Sequence, residues 1–435
     1  MISIFCLLIS LQFGFAAEVQ HLDLKSSIDL AMQKNAELKA QRVEEKFGQS
    51  DLDKISGEFG PRLDGVIGVG PITKATGNAT NATEDKDTWG RSYAGGIHFS
   101  QPLFSWGRKG LYQKAAIAAQ EVKREDTRLK ESELRFNVKE AYYGLLYTNS
   151  LQDFIQGVKQ DLEKSLADSA KSKNPKENFR LELFLQEVES KTADVKQNHE
   201  LAKAGFALRV GNAPSGSILP KEEWLLPTNR KLESFDHYAA IAREARPEFR
   251  QLRLGITARR AQASAEWKGL IPVFGVLIGY DYASTNVRPA QPGVFAYDPY
   301  NRHVVTAGVG FKFDLQYDLQ KGKAERAEAE AEELEAKQEY ADQGILVELQ
   351  KAYAEVAAAD QRLDAETKAY KTGKKWLTSQ MMSVGTGLGK GSDLVDAYGA
   401  RAETAKNYFE AVYKHHMAWA ALSRAAGREV DPTLQ

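Results

Sequence analysis

Two stretches of the chain permit helices of unusual length, and each follows the same pair of short strands. No proline separates Pro102 from Pro175, and none separates Pro299 from Pro432. Proline inside a helix removes a donor and clashes with the preceding turn, so both intervals stay open to long, charged, alanine-rich helices. Ahead of each lie two runs of about ten residues in which apolar positions alternate with small or polar ones, the length and period of a membrane-spanning β-strand. Four such strands cannot close a barrel alone. The order helix, strand, strand, long helical hairpin, occurring twice, therefore predicts a protomer of a shared pore rather than an enzyme.

The 435 residues carry a formal net charge of −1, which gives no basic excess for nucleic acid. Residues Ile2 to Phe15 form a mainly apolar stretch that ends in Gly14-Phe15-Ala16-Ala17, the form of a secretory signal with a small-residue cleavage site, so 1–17 is expected to be a signal peptide. The one cysteine, Cys6, lies inside it, leaving the mature chain neither a disulfide nor a thiolate metal ligand. No other run approaches eighteen consecutive apolar residues, and a transmembrane helix is not expected. A β-barrel remains open, because only alternate residues of its strands face lipid.

The expected layout is a first repeat over 18–211, a connector over 212–235 holding Pro214, Pro220 and Pro227, a second repeat over 236–427 and a tail over 428–435. An opening helix from Ser26 to about Ser56 carries Ile28, Ala31, Asn35 and Leu38 on one stripe. A similar helix from about Asp236 carries Ile241, Ala242, Glu248 and Phe249. A shift of 211 positions superposes Ala31 on Ala242, Glu37 on Glu248, Pro61 on Pro272 and Ile67 on Ile278.

A genuine repeat must also keep the side-to-side parity of its strands. Leu63, Ile67 and Val69 alternate with Asp64, Gly68 and Gly70, and the matching set after Pro272 is Phe274, Val276, Ile278, Tyr280 and Tyr282. In the second strands Tyr93, Ile97 and Phe99 alternate with Ala94, Gly96 and His98, as Val305, Val309 and Phe311 do with Thr306, Gly308 and Gly310. The apolar sets are expected to face lipid and the small sets a wet lumen; half-buried soluble hairpins are the competing reading. Between the strands, Pro71 to Gly90 and Ala283 to Arg302 read as long polar outer loops. Asn78 and Asn81 match glycosylation acceptors in form only.

From Ser105 to about Lys171 the chain predicts a rod of roughly 100 Å at about 1.5 Å per residue, reversed by a turn around Pro175 and followed by a return helix over Phe179 to Val210. The second half repeats this with Lys323 to about Ser383 outward and Ser392 to Ala426 back. The acidic run Glu325 to Glu335 reads as a solvated helix face.

Leu30-Ala31 and Asn35-Ala36-Glu37-Leu38 of the opening helix, Gly60-Pro61-Arg62-Leu63 entering a strand, and Phe99-Ser100-Gln101-Pro102-Leu103-Phe104-Ser105-Trp106-Gly107-Arg108 leaving one together resemble the TolC family of outer-membrane efflux proteins. In the strand exit Pro102 cannot donate to a central ladder and Gly107 relieves the bend into the long helix. Ser383-Val384-Gly385-Thr386 followed by Ser392-Asp393-Leu394-Val395-Asp396-Ala397 resembles the tip of the family's second hairpin. The resemblance implies that Val384, Gly385 and Thr386 dock a periplasmic adaptor and that Asp393 and Asp396 narrow the tunnel entrance. Where the family has a Tyr and an Arg that lock the entrance, this chain has Met382 and Gly387. The first hairpin turn, Ser172 to Lys176, lacks the Val-Gly pair.

The implied architecture is mainly α with a membrane β-barrel: a homotrimer in the bacterial outer membrane, with a shared twelve-stranded barrel and a periplasmic helical tunnel. The implied function is a passive exit duct, for efflux or type I secretion, fed by an inner-membrane transporter through the adaptor. A pore-less exported structural or adhesive coiled-coil protein is the alternative, but it calls for a heptad seam that the strand segments interrupt. The residues give no cofactor or metal motif and no catalytic one: Lys390 in the glycine-rich stretch is followed by glycine, unlike a phosphate-cradling loop. His415 and His416 are adjacent and point to different faces, which suggests a surface or subunit-packing role rather than zinc.

Overall fold

The computed structural model describes residues 19–78, 81–169, 175–211, 213, 215–291, 293, 295, 297–313, 316–386 and 390–431. The expected signal peptide, the turn at 172–174 and Gly387 lie outside the described residues.

The opening helix is two helices. α1 (Leu24–Lys34) starts at Asp23, whose carboxylate accepts the Ser26 N–H at 2.7 Å, and stops at Asn35, which is extended at ψ 125°. Asn35 Oδ1 then accepts the Leu38 N–H at 2.9 Å, so this residue caps the start of α2 (Ala36–Glu58). The unbroken helix expected from Ser26 fails here because an Asn side chain competes for backbone donors. In the second repeat α5 (Phe235–Ala245) starts at Ser234 and stops at Arg246, again at ψ 125°, before α6 (Pro247–Trp267) and a single 3₁₀ turn, Lys268–Leu270. Proline suits the first helical position and holds the residue before it out of helical backbone. The two helix caps, Asp23 and Ser234, and the two breaks, Asn35 and Arg246, are each 211 residues apart, as are the fully buried Ala31 and Ala242. The shift read from scattered identities is thus a shift of backbone geometry.

Four long strands form one antiparallel sheet in the order β2 (Arg62–Asn78), β3 (Asn81–Phe104), β5 (Val273–Thr285), β6 (Arg302–Lys312). Directly opposed residues share a face. The register therefore puts Leu63, Ile67 and Val69 with Phe99, Ile97 and Tyr93, then with Ile278 and Tyr280, and finally with Val305. This face is open, with Ile67 93% and Val305 74% exposed. The other face carries mainly small and polar residues, interrupted by the apolar Val66, Ile72, Val273, Leu277 and Val304. On it His98 Nε2 meets Asp281 Oδ2 at 3.3 Å, in space that a Cβ on Gly96 or Gly279 would fill.

One expectation is corrected in this sheet. Most of Pro71 to Gly90 is not a loop: β2 and β3 stay paired, with a register shift after Thr73, out to Asn78 and Asn81. Threonines at Thr73, Thr76 and Thr83 suit pleated backbone, and Gly77 supplies the turn with φ 103°. Arg288 fastens this extension, donating to Thr73 O at 3.0 Å and Thr73 Oγ1 at 3.1 Å while lying 4.2 Å over the Tyr300 ring. In the second outer segment, expected as a loop from Ala283, β5 runs on to Thr285, and beyond it Asp298 accepts the backbone N–H groups of Gln291, Tyr300 and Asn301.

The remaining long elements are α3 (Arg108–Ser169), α4 (Pro175–Gly211), α7 (Tyr317–Gly385) and α8 (Gly391–Ala426), of 62, 37, 69 and 36 residues. At about 1.5 Å per residue α3 alone measures about 93 Å. The chain divides into a helical unit, residues 1–41, 126–248 and 341–435, and a strand-bearing unit, residues 42–125 and 249–340. In the helical unit Tyr142, Leu145, Phe206 and Val412 centre one apolar cluster, and Leu349, Val356, Trp419 and Leu422 another. Each such side chain contributes about 1.5–3 kcal/mol by leaving water. A short parallel pair, β1 (Gln20–Leu22) with β4 (Ile218–Pro220), ties the connector to the start of the described chain.

The connector and the end of the chain bury charge in the same unit. Arg230 and Asp431 pair at 3.0 Å with 1% and 2% of their side chains exposed. His416 Nε2–H donates to Leu226 O at 2.9 Å, which leaves Nδ1 to accept from Arg230 at 3.3 Å. His415 meets Asp360 at 2.8 Å. The histidines take partners on different sides, as expected, but the expected surface or subunit-packing role fails, since both are buried within the chain itself. Burial pushes the His416 imidazole down to about 4. Their partners lie 55 to 190 residues away, beyond any local pattern.

Candidate functional site

The tip of the second hairpin is built from the end of α7 and the start of α8. The last turn of α7 closes as the Thr386 N–H donates to Met382 O and Thr386 Oγ1 to Ser383 O, both at 3.0 Å. Val384 packs its side chain into an apolar cluster with Leu162, Leu181, Leu377 and Tyr398, whereas Gly385 and Thr386 are exposed. Gly385 is the final helical residue; among the described glycines, left-handed backbone is confined to Gly77, Gly107, Gly216 and Gly427. A Cβ at Gly385 would meet nothing within 4 Å.

α8 begins after Lys390, whose side chain cannot accept from the free backbone donors. Asp393 supplies the negative charge that a helix N-terminus favours and accepts from Ser392 Oγ at 3.1 Å. Leu394, Ala397 and Tyr398 turn inward, with the Tyr398 hydroxyl 3.1 Å from Ser165 Oγ and its ionisation pushed up by burial. Asp393 and Asp396, three residues apart, both stay exposed, as same-side neighbours on a helix do when the opposite side is packed. The hairpin thus presents two exposed carboxylates and the exposed Gly385 and Thr386 above an apolar base. Among the described residues no three His, Cys, Asp or Glu side chains are placed to hold a metal ion.

The strand exit lies in the strand-bearing unit. Pro102 still pairs with Gly275, the ladder shifts before Phe104, and β3 ends there. Gly107 has φ 79° and precedes α3. Trp106, at φ 54°, donates its indole N–H to Pro272 O at 2.6 Å, and Lys268 Nζ donates to Trp106 O at 2.8 Å. This tie between the first strand exit and the second strand entry was not foreseen. Its only local sign is the Trp-Gly pair, because the partners are more than 160 residues away.

No helix is long and apolar enough to cross a membrane among the described residues. Residues 27–170 and 239–428 match the outer membrane efflux protein family. With more than half of its length matched, the chain belongs to that family of outer-membrane channels. The fold is that of the outer membrane protein VceC from Vibrio cholerae, at TM-score 0.75 and 16% identity over 94% of this chain and 97% of that one. The open state of the Neisseria gonorrhoeae MtrE outer membrane channel matches at TM-score 0.74 and 16% identity, over 97% and 94%. The Campylobacter jejuni CmeC outer membrane channel matches at 0.73 and 13%, over 94% and 87%. No curated protein matches the chain by sequence.

Proposed function

We propose that three copies of this chain form a passive exit duct in the outer membrane, receiving substrate from an inner-membrane transporter through a periplasmic adaptor. The observation that carries this reading is the sheet. One face is apolar and exposed, and the sheet ends on two strands, β2 and β6, each with one unpaired edge among the described residues. In lipid every unpaired backbone group costs several kcal/mol, so a spanning sheet has to close on itself. Three copies supply twelve strands, wider than the roughly eight at which side chains fill a barrel. A pore-less coiled-coil protein would leave the apolar face in water. Efflux and type I secretion share this duct and differ in the transporter that feeds it.

On this reading Asp393 and Asp396 from three subunits surround the tunnel entrance with six carboxylates, whose focused field attracts cations. Gly385 and Thr386 meet the adaptor, and Val384 anchors the turn that presents them. Native mass spectrometry of detergent-extracted protein is expected to show a trimer. Planar-bilayer recording is expected to show conductance whose cation selectivity is lost in Asp393→Asn with Asp396→Asn. A stable monomer would sink the barrel, and unchanged selectivity in the double variant would return both aspartates to serving the helix terminus alone.

A further inference from the structure

Four arginines converge on one cleft of the helical unit. α3 brings Arg128 and Arg135, and the end of α8 and the residues after it bring Arg424 and Arg428, around a cavity of about 340 Å³. Its wall is apolar where Phe136 and Pro247 line it, and the Arg424 guanidinium lies 4.4 Å over the Phe136 ring. At its inner end the buried Lys139 Nζ meets Glu429 Oε2 at 2.5 Å. Glu429 Oε1 accepts from Ser423 Oγ at 2.8 Å and from the Asp431 N–H at 3.2 Å, so both of its oxygens are committed inward. The lining then holds five cations, the four arginines and Lys139, against two acids, Glu131 and Glu429. That is a local charge of +3 on a chain whose total is −1.

Arg128 and Arg424 already have partners within the fold. Arg424 lies in the last turn of α8, where a cation favours the helix C-terminus. Arg135 and Arg428 are exposed and take no ion-pair partner among the described residues. We propose that the cleft binds an acidic polypeptide segment of a partner protein. Arg128 and Arg135 are two helical turns apart, about 10.5 Å along the axis, too far for one carboxylate or phosphate to bridge. A peptide with carboxylates spaced along an extended backbone, about 3.3 Å per residue, spans that distance. Each guanidinium fork matches a carboxylate in bidentate geometry, and the apolar wall receives the aliphatic stems. The site does not depend on the conduction reading and is separate from the tip residues.

The test uses the full-length, detergent-solubilised protein and a fluorescein-labelled decapeptide of alternating Asp and Glu, followed by fluorescence anisotropy. Saturable binding is expected, weakened at least about tenfold by Arg135→Gln with Arg428→Gln, because charge-assisted pairs are the strong ones. Arg253→Gln, outside the cleft, is expected to leave the affinity unchanged, and an unaltered melting temperature shows that the variants are folded. Absence of binding, or equal affinity in the double variant, overturns the site. Displacement by inorganic pyrophosphate at concentrations equal to the peptide's overturns the polypeptide as its ligand.

Discussion

The two helix junctions, Asn35 in the first repeat and Arg246 in the second, have the same backbone and opposite chemistry. Both are extended, both return their N–H to a buried alanine one turn back, and both separate an eleven-residue helix from a longer one. In the first, a neutral amide caps the next helix. In the second, a guanidinium with 7% of its side chain exposed pairs with Glu248 at 2.7 Å and with Glu348 at 2.8 Å. What the repeat preserves is the break, and each copy holds it with different side chains. The helix ends that follow diverge in the same way. α4 ends on Gly211 without left-handed backbone, whereas α8 ends on Gly427, at φ 76°, pressed against the Arg246 backbone.

The largest expected contrast lies in those two glycines. A Cβ on Gly427 would stand 2.8 Å from Arg246 N and 2.9 Å from its Cα, atoms that cannot rotate away, and alanine also resists positive φ. Gly427→Ala is expected to cost about 3 kcal/mol, combining an overpacking cost with backbone strain. At Gly211 the nearest atom, 2.8 Å away, is Ile218 Cδ1, the end of a flexible side chain. Gly211→Ala is expected to stay within about 1 kcal/mol. Urea unfolding of the two variants side by side checks the pair, and equal losses would mean that the Gly427 contact does not distinguish the repeats.

The residues themselves show why some of this was legible. Offset and strand parity are periodic properties, and Ala31, Ala242, Ile67 and Ile278 carried them without reference to any partner. The hairpin extension escapes a reading by pattern, because the sequence from Thr73 to Thr83 holds no apolar alternation. By spacing Asn35 falls on the helical stripe, since its side-chain bond to Leu38 matters only once the helix has stopped. The buried histidines and the Trp106 tie depend on partners from distant segments, which no local pattern encodes. At the tip, the resemblance singles out Asp393 and Asp396, and their three-residue spacing puts both on one side of α8. The inward packing of Val384 follows from neither.

Acid is expected to separate the two repeats next. His416 belongs to α8, and burial holds its folded pKa near 4 against about 6.5 unfolded. Between these values the unfolded chain binds more protons, so stability present above about pH 6.5 falls as the pH drops toward 4. About 2 kcal/mol is expected to be lost between pH 7 and pH 5 through this group. His416→Gln keeps a donor for Leu226 O and removes the titration. Melting temperatures at the two pH values are expected to lie closer together in the variant, and an undiminished gap would assign the acid sensitivity to other groups.

The smallest effect tests the first junction directly. Asn35→Ala removes the acceptor of the Leu38 N–H, and a lost helix cap costs about 1 kcal/mol. Asn35→Asp keeps an acceptor and adds a negative charge at the start of α2, where the helix dipole favours it, so it is expected to match or slightly exceed the native stability. Asn35→Arg copies the second repeat in residue type but not in surroundings. Glu37 repeats Glu248 at the 211-residue shift, but the position matching Glu348 is Asn137, so only one of the two carboxylates that hold Arg246 has a counterpart. The arginine variant is therefore expected to lose as much as the alanine variant in urea unfolding. If arginine preserved stability, the break would be fixed by backbone and packing at both junctions, and the different side chains would be incidental to it.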